Sequence, residues 1–474
     1  MSELIAPSHL SERADYINEE AIFSVLSNTA KPESAEVRAI LEKGRALQGL
    51  SFNEVATLIK VEDPALMEEL FDTARAIKNE IYGSRLVMFA PLYISNRCAN
   101  ECRYCAYRAS NRELNRVVLT QEQIAAETRV IIEQGHKRIL MVAGESYPDH
   151  NSLKYVYDAV ATLYATKSGR GEIRRVNVNV APLSVEDFKD LKATDIGTYQ
   201  CFQETYHRET YAKVHLRGKK RDFDWRATVM DRAMAAGIDD VGIGPLLGIY
   251  DWRFEVLAML QQIRHLEEVF NCGPHTISVP RLEPASGTDF TATTPYKVSD
   301  ADFLKLIAIL RITVPYTGMI MSTRESAAVR NKSYQIGISQ TSAGSRTDPG
   351  GYERAQGDFQ TSQFAVGDTR PLDVVVREIA AMGFTPSFCT ACYRSGRTGS
   401  DFMDIARPGA IKYHCEPNAL TTFTEYLEDY ASPETKQAGE AHILHQIQTM
   451  DDRQREIAEP MVEKVRSGKR DVFV

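Results

Sequence analysis

Arg85-Leu86-Val87-Met88-Phe89-Ala90-Pro91-Leu92-Tyr93-Ile94 runs directly into Ser95-Asn96-Arg97-Cys98-Ala99-Asn100-Glu101-Cys102-Arg103-Tyr104-Cys105. The first ten residues carry no charge after Arg85, the pattern of a buried strand, so the Cys-x3-Cys-x2-Cys triplet falls on the loop at that strand's C-terminal end. Three thiolates in so short a loop can ligate three irons of a cubane 4Fe-4S cluster and leave the fourth iron open. An open iron suits a cluster that binds a substrate, whereas electron-transfer ferredoxins close it with a fourth cysteine. The next candidates, His136 and Cys201, are far along the chain. That argues against a structural zinc site, which needs a closed set of four ligands.

Outward from this stretch, short β-rich runs alternate with amphipathic helical patterns. Strands are expected at 85–94, 138–143, 175–180, 197–203, 239–244, 276–281, 312–320 and 334–340, and helices between them at 120–134, 151–165, 224–236 and 253–270. This alternation describes an α/β fold of the (β/α)8 barrel type over residues 81–345. Barrel chemistry gathers at the C-terminal strand ends, and there the chain places the cysteines, Ala143-Gly144-Glu145, Gln203-Glu204, Arg281, Ser322-Thr323-Arg324-Glu325 and Gln340-Thr341-Ser342. Any one of these can equally cap a helix or pair with a neighbour; six sets around one mouth suggest a site. Residues 1–80 read as a helical lead-in packed outside the barrel, with start signals at Ser51 before Phe52-Asn53-Glu54 and at Asp63-Pro64.

A loop rich in Gly, Ser, Asp and Gln (346–370) connects the barrel to a mostly helical section, 371–474. Pro371-Leu372-Asp373 opens a helix through Met382, and helical pattern from Leu420 to about Ser467 ends at Gly468. This section carries a second triplet, Cys389-x2-Cys392-x22-Cys415, with the basic run Arg394-Ser395-Gly396-Arg397 inside it. Zinc completed by His414 and a second iron-sulfur cluster fit this spacing equally. Six of the eight cysteines lie in these two groups, which suits metal ligation in a reducing compartment better than a disulfide framework. A net charge of −8 gives no footprint for nucleic acid, no apolar run has the length of a membrane span, and Met1-Ser2-Glu3-Leu4 opens no signal peptide. A cytoplasmic protein is expected.

The first triplet, with Tyr104 just before its last cysteine, resembles the signature of radical S-adenosyl-L-methionine (SAM) enzymes. The barrel from Arg85 to Arg370 looks like the branch of that family that cleaves aromatic amino acids. Within that branch, the cysteine tail is similar to that of tyrosine lyases that mature FeFe-hydrogenase. The resemblance implies that SAM chelates the open iron, and that a 5'-deoxyadenosyl radical starts cleavage of the tyrosine Cα–Cβ bond. The products would be p-cresol and dehydroglycine (2-iminoacetate). It further implies that the small fragment becomes carbon monoxide and cyanide at a second, auxiliary iron-sulfur cluster carrying an extra iron. An external electron donor and a hydrogenase scaffold maturase that accepts the iron-bound product would be the partners.

Carried onto this chain, the resemblance assigns Cys98, Cys102 and Cys105 to the SAM cluster and Tyr104 to the adenine. Ala143-Gly144-Glu145 matches a Gly-Gly-Glu-type motif with Ala in the first place, where a backbone carbonyl takes the methionine amine. Gln203 or Glu204 would serve the ribose or methionine end, and Gly242 and Gly244 would offer backbone to adenine. For the tyrosine carboxylate a planar guanidinium is suited, Arg324 first and Arg281 second, with Ser342 adding a hydrogen bond. Cys389, Cys392 and Cys415 would hold the auxiliary cluster, and the extra iron would take His275 or, as competitor, His265. Cys201 and Cys272 read as buried small hydrophobes. A thiazole-pathway lyase that stops at 2-iminoacetate lacks a reason for the tail cysteines. An iron-sulfur carrier lacks a reason for the polar mouth.

Overall fold

A computed structural model describes residues 10–474 except 355–357 and 359; Met1–Leu4 and the first nine residues as a whole lie outside the described residues. Eight parallel strands form the centre: β1 (Arg85–Ser95), β2 (Arg138–Ala143), β3 (Arg175–Asn179), β4 (Tyr199–Gln200), β5 (Val241–Ile243), β6 (Thr276–Ser278), β7 (Gly318–Met321) and β8 (Gln340–Ser342). They hydrogen-bond in sequence order, and β8 returns to β1 in the register Val87↔Gln340 to Phe89↔Ser342, closing the barrel. All eleven residues of β1 are buried, which explains why its sequence is apolar throughout instead of alternating.

Two strands lie further along than their sequence suggests. The run expected as a strand from 312 belongs at its start to the helix Asp300–Thr313, and the run from 334 to the helix Ala327–Ile336. In both places apolar residues packed against the barrel imitate a strand. Arg311 ends the first helix, donating to the carbonyls of Pro315, Thr317 and Gly337 while fully buried. Residues 224–236 form two short helices, Phe223–Ala227 and Val229–Ala235, in place of one.

The start signals near the N-terminus operate as expected. Ser51 and Glu54 form a reciprocal capping box, and Asp63 accepts from the amides of Ala65 and Leu66 with Pro64 in the first turn. The helices Ser34–Arg45 and Pro64–Tyr82 pack on the barrel's outer helices, and Ile40 and Ile77 join one continuous apolar core with Leu86, Ile139, Ile312 and Leu420.

The tail holds a short strand that its helical pattern does not announce. β9, Thr385–Ser387, pairs in parallel with the first half of β1 (Arg85↔Thr385, Val87↔Ser387), below the point where β2 begins at Ala90. The segment that follows, Phe388 to Arg397, therefore lies across the barrel's N-terminal mouth. The helices Lys412–Asp429, Pro433–Thr449 and Asp452–Arg466 complete the tail, and Gly468, at φ +97°, follows the last.

Candidate active site and second thiol cavity

At the C-terminal mouth, β1 delivers the first cysteine loop. Its backbone is held throughout: Cys105 N donates to Cys102 O, Ala109 N to Asn100 O, and Arg103 N to Val214 O. The three thiols are free and line one cavity of about 180 Å³ with Tyr104, Gly144, Glu145, Glu204, Arg324 and Ser342. Burial raises all three thiols, Cys105 to about 11, with repulsion added by Glu145 at Cys98 and by neighbouring thiols at Cys102 and Cys105. Three buried thiols converging on one space fit a cationic iron cluster, which would bind as it displaces their protons.

Gly144 sits where β2 exits against this loop. Its amide donates to Ser95 O at 2.9 Å, and a side chain there would run into the Arg97 carbonyl. Glu145 accepts from Asn100 Nδ2 (2.6 Å) and Arg226 Nη1 (3.0 Å). Burial pushes its carboxyl up, but Arg226 and Lys220 bring it below the ordinary carboxylate value. Glu204, in the left-handed region at φ +72°, pairs with Lys220 at 2.5 Å. Such a backbone is strained for a non-glycine residue and is typical of a site. Lys220 and Arg226 are buried cations of the cavity wall that sequence reasoning missed. They lie on a helical stretch with no motif, and only their burial marks them.

Arg324, just after β7, stacks on Phe364 with its guanidinium carbon 3.3 Å from the ring centre. It makes no ion pair among the described residues, and burial lowers its pKa. Glu283 shares this wall and was also missed; burial, with Glu325 beside it, raises its carboxyl to about 7. Tyr104 lines the cavity while its hydroxyl meets His215 Nε2 at 2.8 Å.

Four expected residues lie elsewhere. Arg281 is bound to Glu325, Asp300 and Val298 O, and its side chain is outside the cavity lining, so the buried ion pair displaces the carboxylate-clamp role. Gln203 is buried behind the wall with both amide atoms unpartnered. Gly242 and Gly244 also lie outside the lining. They let strands approach: a side chain at 242 would stand 2.5 Å from Thr276 Oγ1, and one at 244 would meet Ser278 O.

The second triplet lies at the opposite mouth. Cys389, Cys392 and Cys415 line a smaller cavity of about 40 Å³ with Arg85, Arg138, Gln340 and His275. Arg85, Arg138 and Arg175 are the first residues of β1, β2 and β3, so three consecutive strands start with a guanidinium at this mouth. Arg138 also donates to Cys389 O at 2.9 Å, and Arg175 stacks on Tyr393. A hydrogen bond from Cys415, assisted by Arg397 and Arg85, lowers the Cys392 thiol to about 6, against its burial. The Nε atoms of Arg85, Arg138 and Arg397, Thr390 Oγ1 and His275 Nδ1 are buried without hydrogen-bond partners. So many orphaned donors around three thiols fit an anionic group such as a thiolate-ligated cluster.

His275 lines the cavity, with its Nδ1 3.5 Å from Asp240 Oδ1 and without a hydrogen-bond partner. His265 is tied to Asp231 at 2.5 Å and stacked on Tyr16, and His414 is not among the cavity residues. Between the two histidines weighed for the extra iron, the fold brings only His275 to the thiols.

A closed (β/α)8 barrel with a three-thiol Cys-x3-Cys-x2-Cys loop at its C-terminal mouth defines a radical SAM enzyme. Residues 92–261 match the family model described as the radical SAM superfamily, and residues 278–385 the biotin and thiamin synthesis associated domain. The 2-iminoacetate synthase of Escherichia coli K12 is 30% identical over 355 residues, 74% of this chain and 90% of that protein. A crystal structure of HydG, described as a maturase of the FeFe-hydrogenase, superposes with a TM-score of 0.93 at 48% identity, covering 97% of this chain and 100% of that one. The HydG of Carboxydothermus hydrogenoformans gives 0.81 at 39% identity, over 94% and 97%. The chain belongs to the HydG family. No helix among the described residues is long and apolar enough to cross a membrane.

Proposed function

We propose that this enzyme cleaves L-tyrosine between Cα and Cβ to p-cresol and 2-iminoacetate at the upper cavity. It then converts the small fragment at the lower cavity to carbon monoxide and cyanide. These would leave as an iron-bound synthon for the hydrogenase active site. The observation that carries this reading is the pair of thiol triads at opposite mouths of one barrel, the second set among arginines with unpartnered Nε atoms and His275.

Cys98, Cys102 and Cys105 would hold the SAM-binding 4Fe-4S cluster, and Cys389, Cys392 and Cys415 an auxiliary cluster whose extra iron takes His275. Bound SAM on the reduced first cluster supplies a 5'-deoxyadenosyl radical. Arg324, fixed flat on Phe364 and free of a protein carboxylate, receives the tyrosine carboxylate by two parallel bonds, with Ser342 beside it. Asp240 Oδ1 stands 3.5 Å from His275 Nδ1 without a hydrogen bond, close enough that it would take one from the imidazole if the ring turned to ligate iron.

The barrel interior supports passage between the two cavities. Gln200 lines the upper one and Gln340 the lower, and Gln200 Oε1 and Thr276 Oγ1 are buried and unpartnered. A polar interior shields an imine from bulk water. The reading requires an external electron donor, a scaffold maturase as acceptor and a cytoplasmic setting.

Anaerobic reconstitution with iron and sulfide, then SAM, reductant and tyrosine, tests it. p-Cresol, carbon monoxide and cyanide together are expected. p-Cresol with 2-iminoacetate and no diatomic product would make the enzyme a 2-iminoacetate synthase, and SAM cleavage without p-cresol would remove tyrosine as substrate.

A further inference from the structure

The first cysteine loop has a cover whose outer face the chemistry above leaves unused. Residues 214–218 run antiparallel along the loop. Arg103 N donates to Val214 O (2.9 Å), Leu216 N to Glu101 O (2.9 Å) and Glu101 N to Arg217 O (3.0 Å), with Cys102 opposite His215. Gly218, at φ +86°, is seated so closely that a side chain would strike Asn100. One layer of backbone, hydrogen-bonded to the loop, thus lies between Cys102 and solvent.

The solvent side of that layer carries Leu216, 50% exposed, with exposed Arg217, Lys219 and Arg221, and with exposed Arg97 and Arg103 of the cysteine loop itself. None of these five cations has an ion pair among the described residues. The neighbouring carboxylates are engaged elsewhere: Glu101 with Ser110 and Arg108, Glu204 with Lys220, and Asp222 as cap for Trp225 N. Beside the cover, Gly218, Lys219, Arg221, Asp222 and Trp225 bound a shallow surface hollow, and the Trp225 indole N–H has no partner.

An exposed leucine and a half-buried tryptophan within a ring of free cations have the composition of an interface centre with a charged rim. The ring is positive on a chain of net charge −8, so it is a local feature and not the general character of the surface. We propose that this face docks a small acidic electron-carrier protein holding a low-potential flavin or iron-sulfur centre. The carrier's centre loses one electron, the first cluster gains it, and no bond forms or breaks in the transfer. The hydrogen-bonded contact between Leu216-Arg217 and Glu101-Cys102 offers a short path. The proposal rests on the reading above only in needing an external electron for SAM cleavage.

The test uses the reconstituted full chain with a purified acidic flavodoxin as probe, comparing wild type with the triple variant R217E/K219E/R221E and with Leu216→Ala. Calorimetric titration reads binding, and 5'-deoxyadenosine release reads electron delivery from flavodoxin hydroquinone or from dithionite. The triple variant should weaken flavodoxin binding and flavodoxin-driven release at least about tenfold, with the salt dependence flattened, and leave dithionite-driven release unchanged. Leu216→Ala should weaken binding while keeping the salt dependence. Unchanged flavodoxin binding overturns the proposal. So does an equal loss with both reductants, which would make the segment only a structural cover. Because the readout is SAM cleavage and not p-cresol, failure of the tyrosine reading would show separately.

Discussion

The two thiol cavities are built on opposite principles. The upper one takes its three cysteines from a single loop of eight residues, Cys98 to Cys105, and matches charge with charge: Glu145 and Glu204 against Lys220 and Arg226. The lower one gathers Cys389 and Cys392 after β9, Cys415 from a helix, arginines from the starts of β1 and β2 and a histidine from β6's mouth, and Arg85 and Arg138 have no carboxylate partner among the described residues. A site with internal counter-charges binds a substrate of mixed charge. A site with excess positive charge suits an anion, which in the proposed reading is a thiolate-ligated cluster.

That contrast sets the largest expected effect. Cys102→Ser should abolish 5'-deoxyadenosine, p-cresol, carbon monoxide and cyanide together. Cys415→Ser should abolish only the two diatomic products and keep p-cresol within about threefold of wild type, since the barrel's upper mouth is untouched. Product analysis by chromatography and a haem-based carbon monoxide assay checks both. Parallel loss of p-cresol in Cys415→Ser would break the division between the mouths.

Arg324→Lys comes next. Lysine keeps the charge and loses the planar fork and the stacking on Phe364, so kcat/KM for tyrosine should fall about 100-fold. SAM cleavage without substrate should persist. At the lower mouth Asp240→Asn should leave p-cresol intact and weaken retention of the extra iron by roughly 10- to 100-fold, read by iron content and the yield of cyanide. Equal effects of the two variants on p-cresol would show that the cavities are not independent.

The same contrast explains what was legible in the sequence. The upper cysteines were legible because they are contiguous and follow an apolar strand, and Arg324 because a strand end presents it. The pair Lys220 and Arg226 was not, because a cation on a short helix shows its role only once the fold buries it. Arg281 misled for a related reason: its position at a strand end is right, but Glu325 claims the side chain. At the lower mouth the cysteine spacing is visible and fits zinc and a cluster equally, while Arg85, Arg138 and His275, which favour the proposed cluster, carry no motif that ties them to those cysteines. The barrel's N-terminal mouth gathers those residues, which are separated by up to 190 positions, and β9, a three-residue strand whose Thr-Pro-Ser sequence has no strand signature, brings Cys389 and Cys392 to them.

The smallest effect concerns pH at the upper cavity. Glu283 has its carboxyl raised to about 7, by burial first and by Glu325 next, and it faces Arg324. A raised acid is neutral below that value and anionic above it, so the competing negative charge beside Arg324 appears only as pH rises through 7. In the proposed reading, tyrosine brings its own carboxylate to the same guanidinium. Its KM should therefore rise by about threefold between pH 6 and pH 8.5, a modest change because Glu283 is partly exposed and its charge is screened. Glu283→Gln should hold KM at its low-pH level across the range, with kcat little changed. Steady-state p-cresol release at constant ionic strength measures this. A flat wild-type profile, or a variant as pH-dependent as wild type, would mean that Arg324 does not share its carboxylate site with Glu283. The lower mouth offers the control: the yield of diatomic products per p-cresol should not follow the Glu283 titration, because no part of that cavity senses its charge.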